Sequence, residues 1–143
     1  MLNKINLQYT FSYLGIFPFL CILIDKYFFF QIKEEIIINF LIYYTLMISV
    51  FIGSMNWNLE TRVKNHLIIY GTLPSLFSLI IIILNLYKLN QLLLINLISI
   101  FLLLQLVLDY LFVFYSKKNK NFFYLLRVPL TFMIIINLII IKL

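Results

Sequence analysis

Apolar residues run along this chain in five long stretches, residues 7–24, 36–57, 67–87, 92–115 and 122–141, with short polar segments between them. Each stretch is long enough to cross a hydrocarbon core of roughly 30 Å as a helix rising about 1.5 Å per residue. In lipid every backbone polar group needs an internal partner, so each stretch predicts a helix. The connecting segments, 25–35, 58–66, 88–91 and 116–121, are short, and helices joined so tightly pack as antiparallel neighbours. No linker, low-complexity tract or internal repeat interrupts the pattern. It predicts one all-α domain over residues 1–143, an integral membrane bundle of five transmembrane helices in up-down order.

Polar residues inside the apolar stretches are where chemistry could reside. Asp109 is the most costly of them, six residues before Tyr115 and so about 9 Å below the N-terminal face. Arg127 follows Phe122 by five residues, about 7–8 Å below the same face on the next helix. Matched depth across a short loop predicts an ion pair between the fourth and fifth spans. Such a pair either locks the hairpin or marks a proton or anion site, and Arg can also snorkel to the interface. Gln105 stands one turn before Asp109 on the same helical face. A buried amide of this kind more often joins helices than conducts anything. Asn39, Asn85, Asn96 and Asn137 are weaker signals, because codon bias alone scatters asparagine through such a chain.

Small residues and prolines add a second layer. Ser49 and Gly53 are four apart and offer a face for close helix approach, and Gly71 stands at the start of the third span. Trp57 is the only tryptophan and suits the head-group level. Beside it, Asn56 needs hydrogen-bond partners wherever it is buried. Pro74, followed by Ser75, bends the third span about 10 Å deep, level with Asp109. Gly15-Ile16-Phe17-Pro18 is a break in the first span. Pro129 can mark the start of the fifth helix, because proline just inside a helix start is benign. Asn56, Trp57, Pro74, Ser75, Gln105, Asp109 and Arg127 are therefore expected to converge from separate helices. They would form a polar cluster, either a small pocket or a buried seam.

Composition strengthens the membrane reading: apolar residues make up 64% of the chain and charged residues 11%. There is no alanine, while Ile, Leu, Phe, Tyr, Asn and Lys are abundant. That skew reflects codons rich in adenine and thymine. It resembles proteins encoded by reduced genomes: protist mitochondria, ciliates in particular, or intracellular bacteria. The net charge of +6 is dispersed among short loops, which argues against nucleic acid and for anionic lipid head groups or acidic neighbours. Lys4, Arg62, Lys64, Lys117, Lys118 and Lys120 fall on the N-terminal face, with Arg127 close by. Lys26, Lys33, Lys88 and Lys142 fall on the other, diluted by Asp25, Glu34 and Glu35. The positive-inside rule then puts the N-terminus on the cytoplasmic or matrix side. The first stretch is too long for the apolar part of a secretory signal. Cys21 is the single cysteine, so no internal disulfide forms.

Several short motifs together carry a resemblance. They are Gly15-Ile16-Phe17-Pro18-Phe19-Leu20, the stretch ISVFIGSMNWNL over 48–59, Leu73-Pro74-Ser75-Leu76, Leu104 to Asp109, and Tyr124-Leu125-Leu126-Arg127-Val128-Pro129-Leu130-Thr131. In order and spacing they resemble an uncharacterised family of bacterial and mitochondrial membrane proteins that includes transmembrane protein 69. The resemblance implies a five-helix membrane protein and points to Trp57, Pro74, Ser75, Gln105, Asp109 and Arg127. It implies no activity. Where the family carries His-Trp-Gly, this chain has Asn56-Trp57-Asn58, so any His-dependent chemistry of the family is not expected here.

Three functions compete. The first is a non-catalytic accessory subunit of an inner-membrane assembly, a respiratory-chain complex foremost, with other membrane subunits and lipids as partners and no cofactor. The second is a proton-linked carrier built on Asp109, Gln105 and Arg127, although five helices are few and no inverted repeat is visible. The third is a quinone- or lipid-binding protein, which would need an apolar cleft opening beside Trp57. Nothing in the sequence supplies a nucleophile, a metal-ligand cluster or a phosphate cradle, and His66 beside Lys64 and Asn65 reads as a solvated loop residue.

Overall fold

A computed structural model describes residues 4–54, 65–114 and 120–142, and every regular element among them is helical. Among the described residues, five helices are long and apolar enough to cross a membrane: Tyr9–Phe29, Glu34–Ser54, Asn65–Leu86, Gln91–Phe114 and Phe123–Ile141. They are the first to fifth spans. The shortest has 19 residues and the longest 24, or about 28–36 Å at helical rise. The protein is an all-α integral membrane bundle.

Cross-span contacts give the up-down order directly. Tyr13 and Lys26 of the first span reach Leu125 and Ile141 of the fifth, so these two run parallel. Gly53 meets Pro74, while Tyr43 meets Asn85, so the second and third spans are antiparallel. Tyr70 reaches Asp109 and Phe77 stacks on Phe101, so the third and fourth are antiparallel as well. Phe114 contacts Phe123 while Asp109 meets Arg127, which closes the fourth and fifth as a hairpin.

Several span ends differ from the hydropathy reading, and three of them have a local cause. The first span does not stop at Ile24 but continues through a π-turn, Asp25–Phe29, that closes on Phe30 in the left-handed region at φ 53°. Phe30 N–H donates to the Asp25 carbonyl at 2.7 Å, and Ile32 N–H donates to Asp25 Oδ2 at 3.0 Å. Lys26 donates to the carbonyl of Ile141, and Tyr27 hydroxyl donates to that of Ile140 at 3.2 Å. Those carbonyls lie in the last turn of the fifth span, where no intrahelical donor exists. The second span opens at Glu34, and its two first-turn carboxylates complement the helix dipole. The fourth is capped by Asn90, whose Oδ1 accepts from Leu92 N–H at 2.9 Å.

Pro129 is not the start of the fifth helix. Helix is already present before it, in a π-turn over Phe123–Arg127 that passes straight into Val128–Lys142. Proline supplies no N–H to this stretch, which is in π register with Val128 N–H donating to the Phe123 carbonyl, and the Leu125 carbonyl lies within it. Tyr13 hydroxyl of the first span donates to that carbonyl at 2.5 Å. The break at Gly15 is resolved in the same way. The chain is helical over Lys4–Leu14 and again over Phe17–Ile24, with Pro18 in the first turn of the second piece. Phe19 N–H turns to Ile16 instead of Gly15. The Gly15 carbonyl accepts from Tyr44 hydroxyl of the second span at 2.9 Å. Twice, a tyrosine from a neighbour donates to a backbone carbonyl beside a proline or glycine irregularity, as an apolar solvent favours.

The interior divides along the membrane normal. An apolar core that includes Phe19, Leu41, Ile42, Ile81, Leu94, Ile98 and Leu138 fills the end distant from the fourth–fifth hairpin loop. The buried polar side chains Ser49, Gln105, Asp109, Arg127 and Thr131 lie toward the loop end, while Thr45, Ser78 and Asn137 are buried among the apolar residues farther from it. Large apolar residues cover the outside, among them Phe11, Phe28, Met47, Phe51, Leu86, Val107, Tyr124 and Phe132.

Candidate functional site: a four-helix polar cluster beside a small cavity

The cluster is centred on Asp109, at the last α-helical position of the fourth span before a π-turn, Tyr110–Phe114. Its Oδ2 accepts from Arg127 Nη2 and its Oδ1 from Tyr70 hydroxyl. Arg127 ends the π-turn of the fifth span, so π-turns adjoin both charged residues. A π-turn inserts a residue into the helical register and rotates the next turns of helix about the axis. Here it sets the direction in which each charge faces its neighbour.

One turn deeper, Gln105 bridges to the second span. Ser49 hydroxyl donates to Gln105 Oε1 at 3.0 Å, and Gln105 Nε2 donates to the Ser49 carbonyl at 3.1 Å. Tyr70 hydroxyl also lies 3.1 Å from the Gln105 carbonyl. Thr131 hydroxyl donates to the Arg127 carbonyl at 2.8 Å. Gln105 and Asp109 are each 2% exposed and Arg127 8%, so the network is buried within the bundle. Taking two ions out of water costs several kcal/mol each in real proteins. The ion pair and the Tyr70 hydroxyl offset that cost at one carboxylate.

Not every residue singled out in the sequence belongs here. Gln105, Asp109 and Arg127 come together. Asn56 and Trp57 lie outside the described residues. Ser75 does not join the cluster: it is exposed, because the residue after buried Pro74 is turned about 100° around the helix. Pro74 is not level with Asp109. The third-span residue that meets Asp109 is Tyr70, one turn earlier, and Pro74 packs instead on Gly53. A Cβ on Gly53 would lie 2.8 Å from Pro74 Cγ and 2.9 Å from the Gly71 carbonyl oxygen, so only glycine permits this helix approach. Of the small residues, Gly53 and Gly71 form the packing seam, while buried Ser49 is spent on Gln105.

Tyr70 is the participant that sequence reasoning passed over. Tyr70, Gly71, Pro74, Ser78 and Ile81 are the buried positions of the third span, a helical stripe. That stripe put Tyr70 on the inward face. Ten tyrosines in the chain made one more unremarkable.

A cavity of about 160 Å³ adjoins the cluster, bounded by the first, second, fourth and fifth spans. Its polar wall consists of Ser12, Gln105, Arg127 and Thr131, and the rest is apolar. At the opposite end of the bundle Asn85 Nδ2 donates to Asn39 Oδ1 at 3.1 Å and to Tyr43 hydroxyl at 2.8 Å, which ties the second and third spans together.

Comparison of the chain with protein-family models, with curated proteins and with solved structures found no match.

Proposed function

We propose that this protein is a non-catalytic structural subunit of a larger inner-membrane assembly, a respiratory-chain complex foremost, and a relative of the family that includes transmembrane protein 69. The observation that carries the reading is the closed polar network. Ser49, Tyr70, Gln105, Asp109 and Arg127 come from four spans and bond to one another. Both oxygens of Asp109 are occupied by donors from other helices. A carboxylate bonded in this way ties the third, fourth and fifth spans together. The exterior supports the same reading. Long aromatic and branched side chains such as Phe11, Phe51, Leu86 and Phe132 suit protein neighbours as well as lipid.

A carrier using Asp109, Gln105 and Arg127 is the competing function. It would require the Asp109–Tyr70 and Asp109–Arg127 bonds to open in each cycle. Location in the mitochondrial inner membrane, or a bacterial one, with the N-terminus on the matrix or cytoplasmic side belongs to the same proposal. Its support is the codon-skewed composition and the loop charges.

The test is gentle native purification from the protein's own membranes, with mass spectrometry of every chain that travels with it. The expected result is stoichiometric co-migration with respiratory-chain subunits. Recovery as a lone protein or homo-oligomer overturns the proposal. Transport by reconstituted vesicles that is lost in Asp109→Asn would establish the carrier in its place.

A further inference from the structure

We propose that the cavity beside Arg127 binds an uncharged apolar molecule whose carbonyl oxygen accepts a hydrogen bond from the guanidinium. The inference does not depend on the structural-subunit reading, since a bound molecule of this kind is compatible with either a subunit or a carrier.

Size sets the first limit. An engineered apolar cavity of about 150 Å³ accommodates benzene, so about 160 Å³ accepts one six-membered ring or a short length of acyl chain. Phe11, Phe51 and Phe122 contribute aromatic wall, which suits a flat ring. Phe11 and Phe51 are 65% and 66% exposed. The cavity therefore reaches the outer surface of the bundle where lipid lies, and a ligand with an apolar tail can enter sideways and leave that tail outside.

Charge sets the second limit. Asp109 and Arg127 already sum to zero, and their surroundings are apolar. An anionic head would bring an uncompensated charge to this depth, which is costly. A cationic head would face the guanidinium. A neutral acceptor meets neither penalty.

Hydrogen-bonding capacity sets the third. A guanidinium carries five N–H donors and no acceptor. Asp109 Oδ2 takes Nη2, and Oδ1 is given to Tyr70, so the carboxylate does not grip Arg127 in a two-oxygen fork. Thr131 spends its proton on the Arg127 carbonyl. The polar wall of the cavity is thus dominated by a donor. Two membrane molecules share the required chemistry, a neutral carbonyl next to an apolar body: a substituted benzoquinone and a glycerolipid ester.

The experiment uses the full chain in nanodiscs of ether-linked phosphatidylcholine, which carries no ester carbonyl. A short-tailed benzoquinone is titrated in, and binding is monitored by native mass spectrometry. Ester-linked phosphatidylcholine is tested in the same way. Ser12→Phe fills the cavity from the first span while leaving Asp109, Arg127, Tyr70 and Gln105 unsubstituted, and its thermal unfolding reports that the bundle is intact. The expected result is saturable binding of one of the two probes. Ser12→Phe should weaken it at least tenfold, with the unfolding temperature unchanged or raised. Saturation by the quinone identifies the ring as occupant, and retention of ester lipid alone identifies the lipid. Saturable binding of neither probe overturns the proposal. Equal binding by Ser12→Phe, or tighter binding of an ionised fatty acid than of either neutral probe, overturns it as well. The double variant Asp109→Leu with Arg127→Leu keeps the cavity neutral and removes the donor. It is expected to lose about tenfold in affinity for the same probe.

Discussion

At the residue scale, the arrangement around Asp109 separates two costs that are often merged. Removing one member of a buried pair strands the other, whereas removing both leaves an apolar contact. Asp109→Asn is therefore expected to destabilise the bundle by about 3–5 kcal/mol. Asp109→Leu combined with Arg127→Met should unfold within about 1 kcal/mol of the parent, since apolar replacement of a whole pair is often neutral. Denaturant unfolding in detergent measures both. A double variant as unstable as the single would mean that the charges do more than hold helices together. The pair was legible in the sequence as two intramembrane charges at matched depth. Tyr70 was not, because nothing in its own neighbourhood distinguishes it from the other tyrosines. Its role depends on which face of the third span turns inward.

At the element scale, proline and glycine set the problem and tyrosines from neighbouring helices solve it. Pro129 supplies no N–H to the turn that holds the Leu125 carbonyl, and Tyr13 hydroxyl donates to that carbonyl. A double-mutant cycle tests this relation. Tyr13→Phe is expected to cost about 1 kcal/mol in the parent, and close to nothing once Pro129→Ala has restored a backbone N–H to the fifth span. Equal losses in the two backgrounds would show that the hydroxyl does not substitute for the missing donor. The hydropathy pattern found the existence and order of all five spans, but it misplaced the first span's end by five residues, from Ile24 to Phe29. Asp25 and Lys26 read as loop by polarity. They remain helical because Asp25 holds the Phe30 and Ile32 N–H groups, while Lys26 donates to the Ile141 carbonyl of the fifth span.

At the scale of the whole molecule, the bundle is apolar outside, and its buried charges and their hydrogen-bonded partners gather at one end of the interior. Up-down order puts that cluster toward the face of the loop between the fourth and fifth spans, the face to which the charge reading of the sequence assigns most of the lysines and arginines. In the proposed orientation that face is the matrix or cytoplasmic one. In a Cys21→Ser background, Lys88→Cys should react with a membrane-impermeant maleimide added outside intact mitoplasts or spheroplasts. Lys118→Cys should react only after permeabilisation. The reverse pattern would invert the orientation.

The class of this protein was determined by its sequence alone. Five runs of apolar residues at bilayer length leave no soluble alternative for the backbone, because lipid admits only helices whose polar groups are paired internally. The Asp109–Arg127 pairing came from the same arithmetic of depth, since two charges on one hairpin have few other partners at that level. Which further residues reach them was decided only by tertiary structure. Ser75 and Tyr70 are equally polar in sequence and five residues apart, yet one faces outward and the other holds Asp109. The difference lies in helix rotation. That rotation is set by Gly53 against Gly71 and Pro74, a contact between two helices that hydropathy does not encode. The cavity beside Arg127 has the same origin: it is space left where four spans fail to meet, which belongs to their packing and to no single segment.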